Sequence, residues 1–372
     1  MAKLQPQNII SQFLKIRSLE QKKERNRLLY LKESRAQSIR VKAYPIRGYL
    51  ETTNRCNLRC QMCGQSFFEG EKSDLSDEII HRIRPLFPYF QELSIFGFGE
   101  ALVDKRIFNI LEMIPDYVST RLVTNGILLD ENAARGLIQH QLKQLYISME
   151  ATNEDTYAFV RGGRFFNKVI ENIDRLMQMK KKQNAQFPEV AVAFTFMKRT
   201  VAEFLDFMEL AARLGIKIIT GDYLIVYRPE LIEESLFFHQ GYANSIFEQA
   251  KEKAKSLGIE LRIPLSFAEA GKPAQSDQTD WRICYEPWEF IYFRSDGCVS
   301  PCCANDVKLG DFRNAAFSDV WNSQTYQEFR RTLNSTRPHP HCQSCINTGK
   351  RIITQREYHI KLLDKQGKII QK

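Results

Sequence analysis

The sequence predicts a parallel α/β sheet with helices on its outer side, followed by a small cysteine-rich module. Three observations carry this. Six apolar, strand-like runs alternate with helical patterns between residues 47 and 220, and such alternation gives parallel strands joined by crossover helices. Nine cysteines fall in two groups, three at positions 56, 60 and 63 and six from 284 to 345, with none in the 220 positions between. No apolar run approaches the roughly 20 residues that span a bilayer, and the N-terminus lacks a signal-peptide core and cleavage site.

The elements follow in order. Residues 8–36 read as an amphipathic helix, with Ile9, Phe13, Ile16, Leu19 and Leu28 near helical spacing, and Pro45 ends that arm. A strand over 47–53 delivers the first cysteines at its C-terminal end. A helix from Asp77, with Ile79, Ile80, Ile83 and Leu86 inward, precedes a strand at 92–96. Helix 105–114 leads to strand 120–123, helix 131–140 to strand 144–149, and the long helix 165–179 to strand 190–196. Helix 201–214 and strand 217–220 complete six units. The stretch 269–280, with Gly271, Pro273 and Ser276, reads as a linker. The expected divisions are a basic arm at 1–43, a barrel at 44–268, the linker, a cysteine-rich module at 281–349 and a basic tail at 350–372.

Charge is unevenly spread. Residues 1–43 hold eleven Lys/Arg against three Glu, and residues 350–372 hold seven against two acids, within a chain of net charge +9. Basic termini suit an anionic partner or a solvated helix face. No aromatics are interleaved there as RNA-stacking faces require, so nucleic acid is not expected as a partner. The arm holds no cysteine and precedes the first strand, so it is expected to be dispensable for cofactor cleavage and to serve partner binding if anything.

The stretch Thr52-Thr53-Asn54-Arg55-Cys56-Asn57-Leu58-Arg59-Cys60-Gln61-Met62-Cys63 crowds three thiols into one loop. A structural zinc wants four ligands, commonly as two C-x2-C pairs. Three thiolates on a [4Fe–4S] cube leave one iron open to a small molecule. The C-x3-C-x2-C pattern resembles the radical S-adenosylmethionine (SAM) superfamily, with Met62 where many members carry an aromatic. The resemblance implies a partial (β/α)6 TIM-like barrel in which Cys56, Cys60 and Cys63 hold the cube. It further implies that SAM chelates the fourth iron and is cleaved reductively to a 5′-deoxyadenosyl radical. Phe96-Gly97-Phe98-Gly99-Glu100 falls where the superfamily has its glycine-glycine-glutamate motif, with Phe98 for the first glycine and Ala101 for the usual proline. Thr124-Asn125-Gly126 matches its T-N-G turn and Ser148-Met149-Glu150 its serine-x-acid motif. On that resemblance Gly97, Gly99, Glu100, Asn125, Ser148, Glu150 and Arg161 contact SAM, Glu100 offering a carboxylate to an ammonium, with Ser148 and Arg161 facing the ribose and carboxylate. A guanidinium fork suits a carboxylate, although a solvated surface arginine fits the local sequence as well.

The later cysteines, Cys284, Cys302, Cys342 and Cys345, would ligate a second [4Fe–4S] cluster, and spacing alone also permits zinc. A hairpin is predicted around Asp296-Gly297, with strands near 289–293 and 298–300. This region resembles the SPASM/Twitch auxiliary domain through Gly297 to Cys302, Gly310 and Trp321-Asn322, closer to its one-cluster form. Cys302 and Cys303 are adjacent, and the register favours Cys302. Cys298 and Cys303 are then spare: buried small residues, or candidate hydrogen-atom donors to a substrate radical.

Together these imply a cytoplasmic radical SAM enzyme that abstracts a hydrogen atom and passes an electron to the auxiliary cluster. The leading expectation is oxidation of a small polar, sugar- or cyclitol-like substrate, with a flavodoxin- or ferredoxin-type electron donor. Modification of a ribosomal peptide, by crosslinking or epimerisation, is the alternative. Asp222, Tyr223, Tyr227 and Arg228, after the sixth strand, are candidates to touch substrate.

Overall fold

The computed structural model describes residues 6–67, 71–226, 228–270, 283–303, 307–340 and 342. Cys345, Tyr227, most of the expected linker and the basic tail lie outside the described residues.

The chain opens with α1 (Pro6–Arg35) and enters β1 (Arg47–Leu50). It continues through α2 (Asp77–Ile83), β2 (Glu92–Ile95), α3 (Ile107–Met113), β3 (Ser119–Thr124), α4 (Glu131–Gln139) and β4 (Gln144–Ser148). Then come α5 (Glu154–Arg161), α6 (Phe166–Gln183), β5 (Glu189–Phe196), α7 (Lys198–Ala202), α8 (Phe204–Arg213) and β6 (Ile218–Tyr223). After these follow α9 (Gln240–Leu257), β7 (Glu260–Arg262) and α10 (Phe267–Ala270). The last stretch holds α11 (Glu286–Glu289), β8 (Phe290–Phe293), β9 (Cys298–Ser300), β10 (Gly310–Asp311), α12 (Phe317–Trp321) and α13 (Gln324–Leu333).

All six expected strands are present and pair in parallel, in sequence order. Two additions extend the expected set. β7 joins β6 in parallel, and β8 joins the opposite side by pairing in parallel with β1. The antiparallel β9 and β10 follow outward, so the sheet runs β10-β9-β8-β1-β2-β3-β4-β5-β6-β7 and stays open. β7 has three residues, Glu-Leu-Arg, too short and polar to show a strand pattern. The α9 helix did leave a signal: Ala243, Phe247, Ala250 and Ala254 recur at helical spacing, and all are buried. The expected helix 201–214 is two helices broken at Glu203, whose carboxylate accepts from Thr152 and Thr156 instead of continuing one surface.

The apolar core lies between strands and helices. Leu93, Ile95, Leu122, Leu145, Ile147, Val192, Phe194 and Ile219 face Ile83, Ile110, Leu137, Ile173 and Phe207, all buried. The alternate residues face the barrel interior and are polar or small: Ser94, Arg121, Tyr146, Ser148, Ala193, Thr195, Thr220 and Asp222. Among the described residues no helix is long and apolar enough to cross a membrane.

Candidate functional site

The cysteine loop begins where β1 ends. Asn54, fully buried, shapes its start: its side chain donates to Glu71 O at 3.0 Å and accepts from Ser73 N at 2.7 Å. Gln65 closes the loop by donating to Asn54 O and Phe98 O, both at 2.7 Å. Two glycines let other elements meet the loop's backbone. A Cβ on Gly99 would stand 2.0 Å from Thr53 O, and one on Gly162, where φ is +78°, 2.6 Å from Arg59 O. Glu100 N then donates to Arg55 O and Gln61 N to Val160 O, both at 2.9 Å. The ends of β2 and α5 thus grip the loop from two sides.

Each of the three sulfurs faces an N–H donor. Leu58 N approaches Cys56 Sγ at 3.4 Å and Asn125 Nδ2 approaches it at 3.9 Å. Arg161 Nη1 stands 3.7 Å from Cys60 Sγ, and Gln65 N 3.4 Å from Cys63 Sγ. Burial pushes the Cys56 and Cys60 thiols up; the Leu58 N–H draws the first back, and Arg161 the second. Donors aimed at sulfur suit thiolates that ligate a cluster. Among the described residues no three His, Cys, Asp or Glu side chains converge as a single metal ion requires.

Arg161 and Glu100 each have partners within the protein. Both are buried rather than on the surface. The Arg161 fork is taken by Glu150, Nε to Oε2 at 2.7 Å and Nη2 to Oε1 at 2.5 Å. Its remaining nitrogen faces Cys60. Burial would lower the guanidinium, but Glu150 and Cys60 outweigh it and hold the cation charged. The Glu100 carboxylate accepts from Thr124 Oγ1 and Asn125 N at 2.7 Å and from Leu102 N at 3.1 Å, so it braces the T-N-G turn. Asn125 in turn donates to Asn57 Oδ1 at 2.7 Å inside the loop. Ser148 ends β4, half-buried on the interior side. Gly97 is pressed against Glu51, whose Oε1 would be 2.4 Å from an added Cβ. Sequence reasoning missed Glu51, Asn54, Asn57 and Gln65. Asn54 and Asn57 flank Cys56, a proximity that could have marked them.

Across the mouth, Thr195 of β5 donates to Glu150 and is in register with Asp222 of β6. Two strand spacings put Asp222 about 10 Å from Glu150. Asp222 is exposed on the interior side, and partial desolvation by the wall around it raises its carboxyl. Among the described residues no hydrogen-bond or ion-pair partner reaches it. Tyr223 is buried and Arg228 leans toward Glu230 at 3.7 Å, so neither opens there as Asp222 does.

Of the later cysteines, Cys284, Cys302 and Cys342 lie around α13. Asn334, its C-cap, brackets Cys284 by accepting from the Cys284 N–H at 2.9 Å and donating to its O at 3.0 Å. Cys342, buried, donates its N–H to His339 O at 2.7 Å, and the His339 ring lies 5.7 Å from Phe329. Burial raises the buried Tyr326 hydroxyl, and Cys302 is among the charges that reach it. Cys303 is exposed and acts instead on Tyr49 and Tyr292, at the barrel interior. Cys298 is surrounded by Asp296, Lys308, Asp311 and Arg313, on the outer hairpin.

Comparison with known proteins agrees with this geometry. A family model described as the Radical SAM superfamily matches residues 50–197, and one described as an iron–sulfur cluster-binding domain, SPASM, matches residues 284–346. The chain is 22% identical, over 80% of its length and 86% of the relative's, to a tungsten-containing aldehyde ferredoxin oxidoreductase cofactor-modifying protein of Pyrococcus furiosus. It is 25% identical to the AdoMet-dependent heme synthase of Methanosarcina barkeri, over 75% of this chain and 83% of that one. Among solved structures, Streptococcus suis SuiB bound to S-adenosylmethionine superposes with a TM-score of 0.60 at 13% identity, covering 81% of this chain and 77% of that one. AdoMet-bound anSMEcpe gives 0.58 at 18% identity, covering 81% and 83%. These two show the fold.

Proposed function

Because the chain belongs to the radical SAM superfamily and carries a SPASM-type iron–sulfur domain, we propose that it oxidises a small polar substrate seated in the barrel interior. It is an enzyme that binds SAM, a [4Fe–4S] cluster and further iron–sulfur chemistry in its C-terminal domain. In this reading Cys56, Cys60 and Cys63 hold the first cluster, and Cys284, Cys302, Cys342 and Cys345 the second. When bound, the first cluster and SAM supply a 5′-deoxyadenosyl radical able to take a hydrogen atom from an unactivated carbon.

The chain's own residues do the rest. Leu58, Asn125, Arg161 and Gln65 direct N–H groups at the three thiolates, and Glu150 keeps Arg161 oriented toward Cys60. Gly97 and Gly99 keep the turn beside the loop free of side chains. Four cysteines at the second site would leave no iron open to substrate, which suits electron transfer rather than binding. The observation that carries the substrate class is the interior row Ser148, Thr195, Thr220 and Asp222, in which the exposed Asp222 carboxylate meets no donor among the described residues. A hydroxyl or ammonium on the substrate satisfies it, and the same oxygen can take the proton released when a carbinol carbon is oxidised. The two curated relatives above, matched over three quarters or more of this chain, are named for work on small cofactors, which supports a small molecule over a peptide. We place the enzyme in the cytoplasm, the reducing compartment that such thiolate sets require, with a flavodoxin- or ferredoxin-type electron donor.

The test uses anaerobically reconstituted enzyme with dithionite and SAM. Release of 5′-deoxyadenosine is expected to rise when a metabolite fraction below peptide size is added. A rise with the peptide fraction alone defeats the small-molecule reading. About eight irons per chain are expected, falling to about four when Cys56, Cys60 and Cys63 are all changed to Ala.

A further inference from the structure

Glu51 follows β1 and is 3% exposed, yet its carboxylate is fully engaged. Oε1 accepts from the Phe98 N–H at 2.7 Å and the Tyr292 hydroxyl at 3.1 Å. Oε2 accepts from the Ser295 N–H at 3.0 Å and the Ser295 hydroxyl at 2.9 Å. Hydrogen bonds to a buried anion are short and strong, and losing one partner leaves the other group stranded. The donors come from two places far apart in sequence. Phe98 lies in the glycine turn beside the first cysteine loop. Tyr292 and Ser295 belong to β8 and the turn into β9, the strand that leads to Cys302.

The surroundings are built to keep this carboxylate still. Gly97 has no room for a Cβ because Glu51 occupies the space. The Glu51 N–H donates to Phe293 O at 2.9 Å, continuing the β1–β8 ladder past its last registered pair. Tyr292 also packs its ring 5.9 Å from Tyr49, and both rings lie within electrostatic reach of Cys303.

We propose that Glu51 is a positioning residue that couples the two iron–sulfur sites. It ties the Phe98 amide, in the turn against which SAM would lie, to the hairpin that carries the chain to the second site. Occupancy of the turn therefore changes the environment of the second cluster. The inference rests on the two-site reading above, and the experiment separates the two.

Reconstituted, dithionite-reduced enzyme is examined by EPR with and without SAM, and the second-site signal is assigned by subtracting a Cys284→Ala, Cys342→Ala variant. In the wild type SAM is expected to change both signals and to shift the second site's midpoint potential. Glu51→Gln keeps the side chain's shape but sets an NH2 group against existing donors. In it the first-site signal is expected to respond still, while the second no longer does. A second-site response in Glu51→Gln equal to that of the wild type overturns the proposal, as does its absence from a wild type whose first site responds. A wild type whose first site ignores SAM, or which holds only about four irons, defeats the two-site reading and the proposal with it. If Glu51→Gln does not fold, Ser295→Ala removes one donor and keeps the backbone. It is then expected to shrink the second-site response, and a response of full size overturns the coupling.

Discussion

Two neighbouring cysteines serve different places when the chain turns between them, and the electrostatic surroundings of Cys302 and Cys303 differ in that way. Cys302 is half-buried and acts on Tyr326 of α13, on the side where Cys284 and Cys342 also lie. Cys303 is exposed and acts on Tyr49 and Tyr292. Cys302→Ala should therefore lose about half of eight irons, whereas Cys303→Ala and Cys298→Ala keep all; loss of second-site iron from Cys303→Ala would reverse the assignment. Asp222 makes a pH-dependent prediction. Its carboxyl is raised above the usual 3.8 by partial desolvation, so the folded chain binds this proton more tightly than the unfolded chain does. The side chain is exposed, however, and water screens most of the effect. Stability then falls as pH rises from the unfolded toward the folded value, and the full cost is present above it. Asp222→Asn removes the charge. Its melting temperature should match the wild type near pH 4 and exceed it only slightly at neutral pH, because the exposed carboxylate is largely screened; a variant less stable than wild type at pH 7 would show that Asp222 has an ionic partner.

Loops hold clusters only as well as the elements around them allow, and here the holding is done by backbone. Gly99 is the tightest point: an added methyl would meet Thr53 O at 2.0 Å, and backbone cannot swing aside as a side chain does. Gly99→Ala should displace the first cysteine loop and lower iron to about four per chain, with the second-site EPR signal intact; about eight irons would show that the β2 turn yields instead. This contact also shows where sequence reading stops. The cysteine spacings, the strand ends and the hairpin turn at Gly297, where φ is +82°, are local patterns, and they were legible. The partners of Glu51 and Arg161 were not. Glu51 meets Ser295 across 244 positions, and Arg161 reaches Cys60 across 101, so no short spacing announces either. Arg161 in particular read as a carboxylate binder for a ligand, and the carboxylate it found is the protein's own Glu150.

At the scale of the molecule, the expected separable N-terminal arm is built into the same body as the second site. Tyr30 donates to Glu289 Oε2 at 2.6 Å, and the indoles of Trp288 and Trp321 donate to Ser38 O at 2.7 Å and Ala43 O at 3.0 Å. Asn322 and Val41 exchange two bonds at 2.9 Å, and buried Arg330 reaches Ile39 O. Residues 30–43 thus form part of the wall behind α11, α12 and α13, the elements against which Cys284 and the segment leading to Cys342 pack. Removing them strands several buried donors, each costing about 1–3 kcal/mol. The arm also meets the barrel, where Lys23 donates to Tyr117 O at 2.9 Å, but most of its long-range bonds go to the second-site elements, so the damage should fall mainly there. A chain shortened to begin at Tyr44 is expected to melt at least about 10 °C lower and to keep about four irons, those of the first site. A chain beginning at Ser18, which retains every one of these contacts, should keep about eight. Iron analysis and melting of the two side by side decide the matter. If the Tyr44 form keeps both clusters and its stability, the arm only rests on the second site, and the hairpin's pairing with β1 suffices to hold it.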